Sequence, residues 1–260
     1  IGLQETHLIQ ITATASVKIR NHWMNYLNIL TVKNTNTTSN LGQRTREQVG
    51  GWENLSQTIN NPTQLTGLPF GNNGFYLDIG CGHPIKNNNT YLLNKKGWSG
   101  INIDLDEENI HLFNSYRKKD VNLATAVSDK EGEADLFFYH SKSALNTINK
   151  ENANFQKAKV SAIKKIKTQT INKILENSPF KDKKIDFLSV DVEGSELSVL
   201  KNFDFKKYSP KVIVVEYLDL SLKKLEIKNL NINNIIKSEI YKFIESNNYT
   251  LANILHSDLV

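Results

Sequence analysis

The chain has 260 residues, enough for one large domain with a sizeable core, and its 39% hydrophobic and 23% charged content is that of a globular protein. No apolar run approaches the roughly 20 residues that span a bilayer, and 32 basic against 27 acidic residues, a net charge of +5 spread mostly over scattered lysines, does not make a nucleic-acid interface. One cysteine, Cys81, excludes an intramolecular disulfide and, with no recognisable leader, leads us to expect a reducing, cytoplasmic setting.

Residues 1–70 read as an amino-terminal arm or lid. Ile19, Trp23, Tyr26, Leu27 and Leu30 recur at helical spacing and predict an amphipathic helix over about 16–31. The polar stretch "NTNTTSN" at 34–40 and Gly50–Gly51 break the pattern, and Trp52 beside those glycines offers a ring that can stack on a sugar face.

From residue 71 to 260 the pattern becomes that of one α/β domain. "GFYLDIG" predicts a strand, "NTYLLNKKG" a helix closed by Gly97, "SGINIDLD" a strand, "ENIHLFNSYRK" a helix and "VNLATAVSD" a strand. An antiparallel excursion follows in "GEADLFFYH", then the polar loop "SKSALNTINKEN", a strand over 159–168 and the short helix "TINKILEN". "KIDFLSVD", "SELSVLKNF", "KVIVVEYLD", a helix at about 234–246 and the terminal strand "YTLANILHSDLV" complete the series. Strands alternating with helices imply a mostly parallel sheet covered on both faces.

In such sheets ligands bind beyond the carboxyl ends of the strands. Asp78, Asp104, Asp129, Asp191 and Glu216 all fall there, on five strand ends. A dinucleotide would want Gly-x-Gly-x-x-Gly beneath its pyrophosphate, whereas "DIGCGHPI" has Gly80 and Gly82 but Ile85 in the third place, with Asp78 ahead of the glycines. A carboxylate there repels a pyrophosphate and suits a cationic group such as the amino-acid end of S-adenosylmethionine. Asp104, ending the next strand, can accept both hydroxyls of an adenosine ribose. The pair fits S-adenosylmethionine better than NAD.

"YLDIGCGHP", "NTYLLNKKGWSGINID", "AVSD" and above all "IDFLSVDVEGSELSVLKNFDFKKYSPKVIVVE" resemble the FkbM family of S-adenosylmethionine-dependent O-methyltransferases over roughly residues 74–250. The resemblance implies a class I methyltransferase fold: a Rossmann-like, mostly parallel seven-stranded sheet with a final antiparallel strand, to which the helical or irregular arm is added. It implies activity on hydroxyl groups, often of sugars in glycans, polysaccharides, glycolipids or natural products. Carried over, Asp78, Gly80, Cys81, Gly82 and Asn89 would shape the methionine pocket, Asp104 and Leu105 the ribose side, and Ser128 and Asp129 the adenine edge. His83 and Pro84 depart from the commoner pattern and leave the role of His83 open, with catalysis one option and a turn hydrogen bond the other.

Methyl transfer to an alcohol needs alignment and a proton acceptor. Asp191 is the favoured base, and Glu193, two residues on, is the other candidate. Asp191 and Glu216 end neighbouring strands and could instead hold Mg²⁺ or another divalent cation. The bland alternatives are that Asp191 caps the following helix, although Ser195 is better placed to do so, that Glu193 is a first-turn dipole partner, and that Cys81 merely fills the turn. The expected partner is a carbohydrate acceptor, with no nucleic acid and with peripheral association with a glycan-assembly complex allowed. The rival functions are an NAD-dependent nucleotide-sugar oxidoreductase and a non-catalytic S-adenosylmethionine-binding module.

Overall fold

The computed structural model describes residues 7–14, 73–86, 88–141, 143–156, 158–217 and 232–257. The helix expected over 16–31, Trp52 and most of the arm lie outside them.

Five parallel strands carry the site, in the spatial order β4 (Val121–Ala124), β3 (Ser99–Asp104), β2 (Phe75–Ile79), β8 (Phe187–Val190) and β9 (Val212–Glu216). Three of them, β2, β8 and β9, are buried along their whole length, which is why their sequences are unbroken apolar runs rather than alternating ones. Beyond β9 the backbone pairs with β1 (His7–Thr14), and β1 pairs with β10 (Tyr249–Ser257), both in parallel register. The last strand is therefore parallel to its neighbour, not antiparallel as the resemblance implied, and part of the expected arm is sheet. A strand from the amino-terminal segment between β9 and β10 has no counterpart in the sequence reading.

The helices are α1 (Tyr91–Lys95), α2 (Glu107–Tyr116), α3 (Lys150–Phe155), α4 (Ile171–Glu176), α5 (Glu196–Lys201), α6 (Phe205–Tyr208), α7 (Ile232–Lys237) and α8 (Glu239–Ser246). Among the described residues no helix is long and apolar enough to cross a membrane. Asp106 starts α2 by accepting from the backbone of Glu108 and Asn109, and Thr170 starts α4 by accepting from Lys173. The single helix expected at 234–246 is two, because Ser238 adopts an extended conformation and caps α8 through Tyr241 N–H. The main core joins β2, β3, β8 and β9 to α4, α5, α7 and α8, with Phe75 stacked on Phe180 and Phe203 on Tyr208.

The strand expected over 121–129 divides. Its first half is β4 of the main sheet, and Ala126–Val127 (β5) leaves to pair with β7 (Ala162–Gln169), which pairs in turn with β6 (Gly132–Phe138) in a small second sheet. The antiparallel excursion is this sheet. In the main sheet β3 and β4 step away from β2 on one side and β8 and β9 on the other, so the crevice where ligands bind in such folds opens between β2 and β8.

Candidate active site

The crevice begins at Gly80, where β2 turns with φ +77°. A Cβ there would lie 1.6 Å from the carbonyl oxygen of Asp191, so the turn and the end of β8 touch backbone to backbone, and only glycine allows it. Gly80 and Cys81 N–H both donate to Ile103 O (2.8 and 3.0 Å), and Asp191 N–H donates to Ile79 O (2.9 Å). Three strand ends are thereby tied at one point. Gly82, at φ +59°, has open space where its Cβ would be, and its N–H donates to Asp104 Oδ2 (2.7 Å) while Asp106 N–H donates to Asp104 Oδ1 (2.8 Å). Burial pushes the Asp104 carboxyl up to about 6, against these two backbone donors.

Cys81 is buried, and burial, with Asp104 and Asp78 nearby, drives its thiol well above the ordinary range; it fills the turn and is no nucleophile. His83 accepts from Ile85 and Lys86 N–H at Nδ1 (3.1 Å each), which ties its ring to the turn. Asn89 donates to Ser189 Oγ on β8 (3.0 Å).

Beneath this loop lies a polar network that the sequence did not announce. Asp78, 2% exposed, accepts from Thr90 Oγ1 (2.7 Å) and Asn88 Nδ2 (3.1 Å). Burial raises its carboxyl, opposed by Thr90 and by the charge of Arg117. Arg117, 3% exposed and stacked over Phe113, donates to Thr90 Oγ1 and Pro84 O (2.7 Å each), to Asn102 Oδ1 (3.3 Å) and to Asn88 Oδ1. Asp78 thus bears on the pocket through Thr90 and Asn88, and Arg117 sets the path of the loop from Pro84 to Thr90. The one available signal was that Arg117 is the only arginine after Arg46 in a lysine-rich chain, as suits a buried fork of five donors.

Across the crevice β8 runs into Asp191, then Glu193 and Gly194, both with positive φ (+57° and +94°). Glu196 closes the turn by accepting from Val192 and Gly194 N–H at Oε1 (3.0 Å each). Ser195, better placed than Asp191 to cap α5, occupies its N-cap position but makes no side-chain capping bond, and Glu196 reaches back to satisfy the turn instead. Asp191, Glu193 and Glu216 each bring an oxygen within 4.8 Å of the others. Burial pushes Glu193 up to about 8, with the charge of Asp191 adding, and burial likewise lifts Glu196 to about 7. Glu216, 1% exposed, receives no hydrogen bond from any donor; burial and then Asp191, Glu193 and Glu196 raise it well above the ordinary range. Burial also raises the carboxyl of Asp191 beside it.

A glycine turn set against a carboxylate cluster at the β2/β8 crevice is the geometry, and the Methyltransferase FkbM domain matches residues 78–251, about two-thirds of the chain. The chain belongs to the FkbM methyltransferase family. Comparison with curated proteins and with solved structures finds no match.

The FkbM reading groups its expected residues in two places. Asp78, Gly80, Cys81, Gly82, His83 and Asn89 sit in or under the first loop with Asp104 and Leu105 beside it, and Asp191, Glu193 and Glu216 converge across from them. Ser128 and Asp129 follow β5, where Ser128 N–H donates to Gln169 O (3.0 Å) and Ser128 Oγ to Asp129 Oδ1 (3.1 Å). Sequence reasoning missed Arg117 and the side chains of Thr147, Asn149 and Asn152, whose partners lie far away in the sequence, and Glu196, whose partners are only four and two residues back.

Proposed function

We propose that this FkbM methyltransferase uses S-adenosylmethionine to methylate a sugar hydroxyl of a glycan, polysaccharide or glycolipid. The observation that carries the reading is the backbone contact of Gly80 with Asp191, which sets the glycine turn and the carboxylate cluster on either side of one crevice. The residues fit the donor: Gly82 leaves open space beside Asp104, and each Asp104 oxygen accepts one backbone bond and keeps capacity for a ribose hydroxyl. S-adenosylmethionine supplies an electrophilic methyl group on a sulfonium. Asp191, half-buried and with a carboxylate oxygen within 4.8 Å of one on Glu216, takes the proton from the acceptor hydroxyl as the hydroxyl oxygen gains the methyl group and the S–CH3 bond breaks to leave S-adenosylhomocysteine, and Glu193 orients the hydroxyl. The crevice walls hold donor and acceptor in line, a source of about 7–11 kcal/mol.

The clustering of three carboxylate oxygens favours one second reading, in which Asp191, Glu193 and Glu216 hold Mg²⁺. Such an ion takes about six oxygens, so water and the acceptor would complete the set, and the cation would orient the hydroxyl in place of a proton.

Asp191→Asn tests the base. Turnover should fall roughly 10²–10⁴-fold with S-adenosylhomocysteine affinity kept; unchanged turnover would remove Asp191 from that role. Loss of wild-type turnover in chelator, restored by Mg²⁺, would select the second reading.

A further inference from the structure

The polar stretch 143–152, read from the sequence as part of a loop, is docked in the structure. Thr147 and Asn152 are both fully buried, and both spend their side chains on one backbone carbonyl: Thr147 Oγ1 donates to Glu193 O (2.9 Å) and Asn152 Nδ2 to the same oxygen (2.6 Å). Asn152 Nδ2 also reaches Glu193 Oε2 (3.4 Å), and Asn149 Nδ2 donates to Gly194 O. Main chain and carboxylate of one residue are thus gripped from the same segment. That residue, Glu193, is one of only three non-glycine residues with positive φ among those described, a conformation that persists where surrounding contacts hold it.

The segment is braced internally. Asn149 N–H donates to Thr147 Oγ1 and Asn152 N–H to Asn149 Oδ1, both 2.9 Å. Gly194 completes the fit, since a Cβ there would come within 3.2 Å of Asn152 Cβ. The other end of the grip is anchored to the small sheet, where Phe137 N–H donates to Thr147 O (2.8 Å); that sheet contains β5, which leads directly into Ser128 and Asp129. Backbone hydrogen bonds run from the expected adenine edge to Thr147, and the side chains of Thr147 and Asn152 complete the path to the carboxylate turn.

We propose that Thr147, Asn149 and Asn152 are positioning residues that latch Glu193 and so set the acceptor side of the site, leaving donor affinity to the glycine turn. The inference rests on the methyltransferase reading above for its kinetic consequence but not for the latch itself. Thr147→Val removes the hydroxyl while keeping shape, and Asn152→Ala removes the amide. Turnover in each should fall by roughly 10–100-fold, the scale of misplacing a reacting group by about 1 Å, with S-adenosylhomocysteine affinity within about twofold of wild type, and Thr147→Ser should restore turnover. A general structural defect would lower both together.

Hydrogen exchange of the unliganded protein separates the latch from the function. Amides of residues 192–195 should exchange about tenfold faster in Thr147→Val and not in Thr147→Ser, with the rest of the chain unchanged. Equal exchange in all three proteins overturns the latch whatever the enzyme's activity. Faster exchange with undiminished turnover overturns the positioning role, and a wild type that transfers no methyl group overturns the methyltransferase reading and the kinetic consequence with it, leaving the exchange result to decide the latch.

Discussion

Arg117→Lys is the sharpest test of the buried network, because it keeps the charge and discards the fork. The guanidinium makes two short bonds, to Thr90 Oγ1 and Pro84 O, and further contacts with Asn88 and Asn102. An ammonium on a straight stem cannot reach both sides of the loop at once. Losing two hydrogen bonds from a charged donor, each about 1.5–3 kcal/mol, gives a destabilisation of about 3–6 kcal/mol, which overlaps the range of about 3–5 kcal/mol for breaking a buried ion pair. Domains of this kind are stable by about 5–15 kcal/mol, so the variant should fold at 25 °C, with a thermal midpoint lower by about 10 °C at this size. Urea unfolding followed by circular dichroism and by the fluorescence of buried Trp98 provides the assay. S-adenosylhomocysteine affinity should fall too, since Pro84 and Thr90 bound the loop after the glycine turn. A variant within about 1 kcal/mol of wild type would refute the argument that Arg117 holds that loop.

Gly80→Ala should abolish donor binding and lower stability, because its Cβ collides with the Asp191 carbonyl and the backbone is at positive φ; calorimetry and circular dichroism check both. The pH dependence of stability follows from raised carboxyls. Asp104 at about 6, Glu196 at about 7 and Glu193 at about 8 bind protons more tightly folded than unfolded, so their contribution is fully present below the unfolded values near 4 and is lost as pH rises through 6–8. The thermal midpoint of the unliganded protein should therefore fall between pH 5.5 and 9, and Glu193→Gln should flatten the upper part of that slope; a midpoint that rises over this interval contradicts the burial of these groups.

What the sequence made legible was whatever local pattern encodes. The apolar runs ending in Asp78, Asp104 and Asp191 became β2, β3 and β8 because strands buried on both faces leave unbroken hydrophobic stretches. Gly80 was legible as a turn, but not the contact that requires it, which comes from a residue 111 positions away. The split of 121–129 between two sheets was hidden, since Val121–Ala124 and Ala126–Val127 look alike as sequence and only their partners differ. The parallel strand His7–Thr14 was hidden for the same reason. Ser195 carried the local signature of a cap, yet Glu196 satisfies the turn because its longer side chain reaches back to two N–H groups. Thr147, Asn149 and Asn152 read as loop chemistry, and their partners lie 41 to 46 residues downstream.

The central claim is that the glycine turn and Asp104 form the seat of an adenosyl donor beside the carboxylate cluster. Titration calorimetry with S-adenosylhomocysteine, on wild type and on Asp104→Ala and with NAD alongside, tests it most directly. The account predicts that wild type binds S-adenosylhomocysteine and not NAD, and that Asp104→Ala weakens binding by at least about 100-fold through loss of two hydroxyl bonds to a charged acceptor. Binding of NAD instead, or of S-adenosylhomocysteine with equal affinity to both proteins, would contradict it.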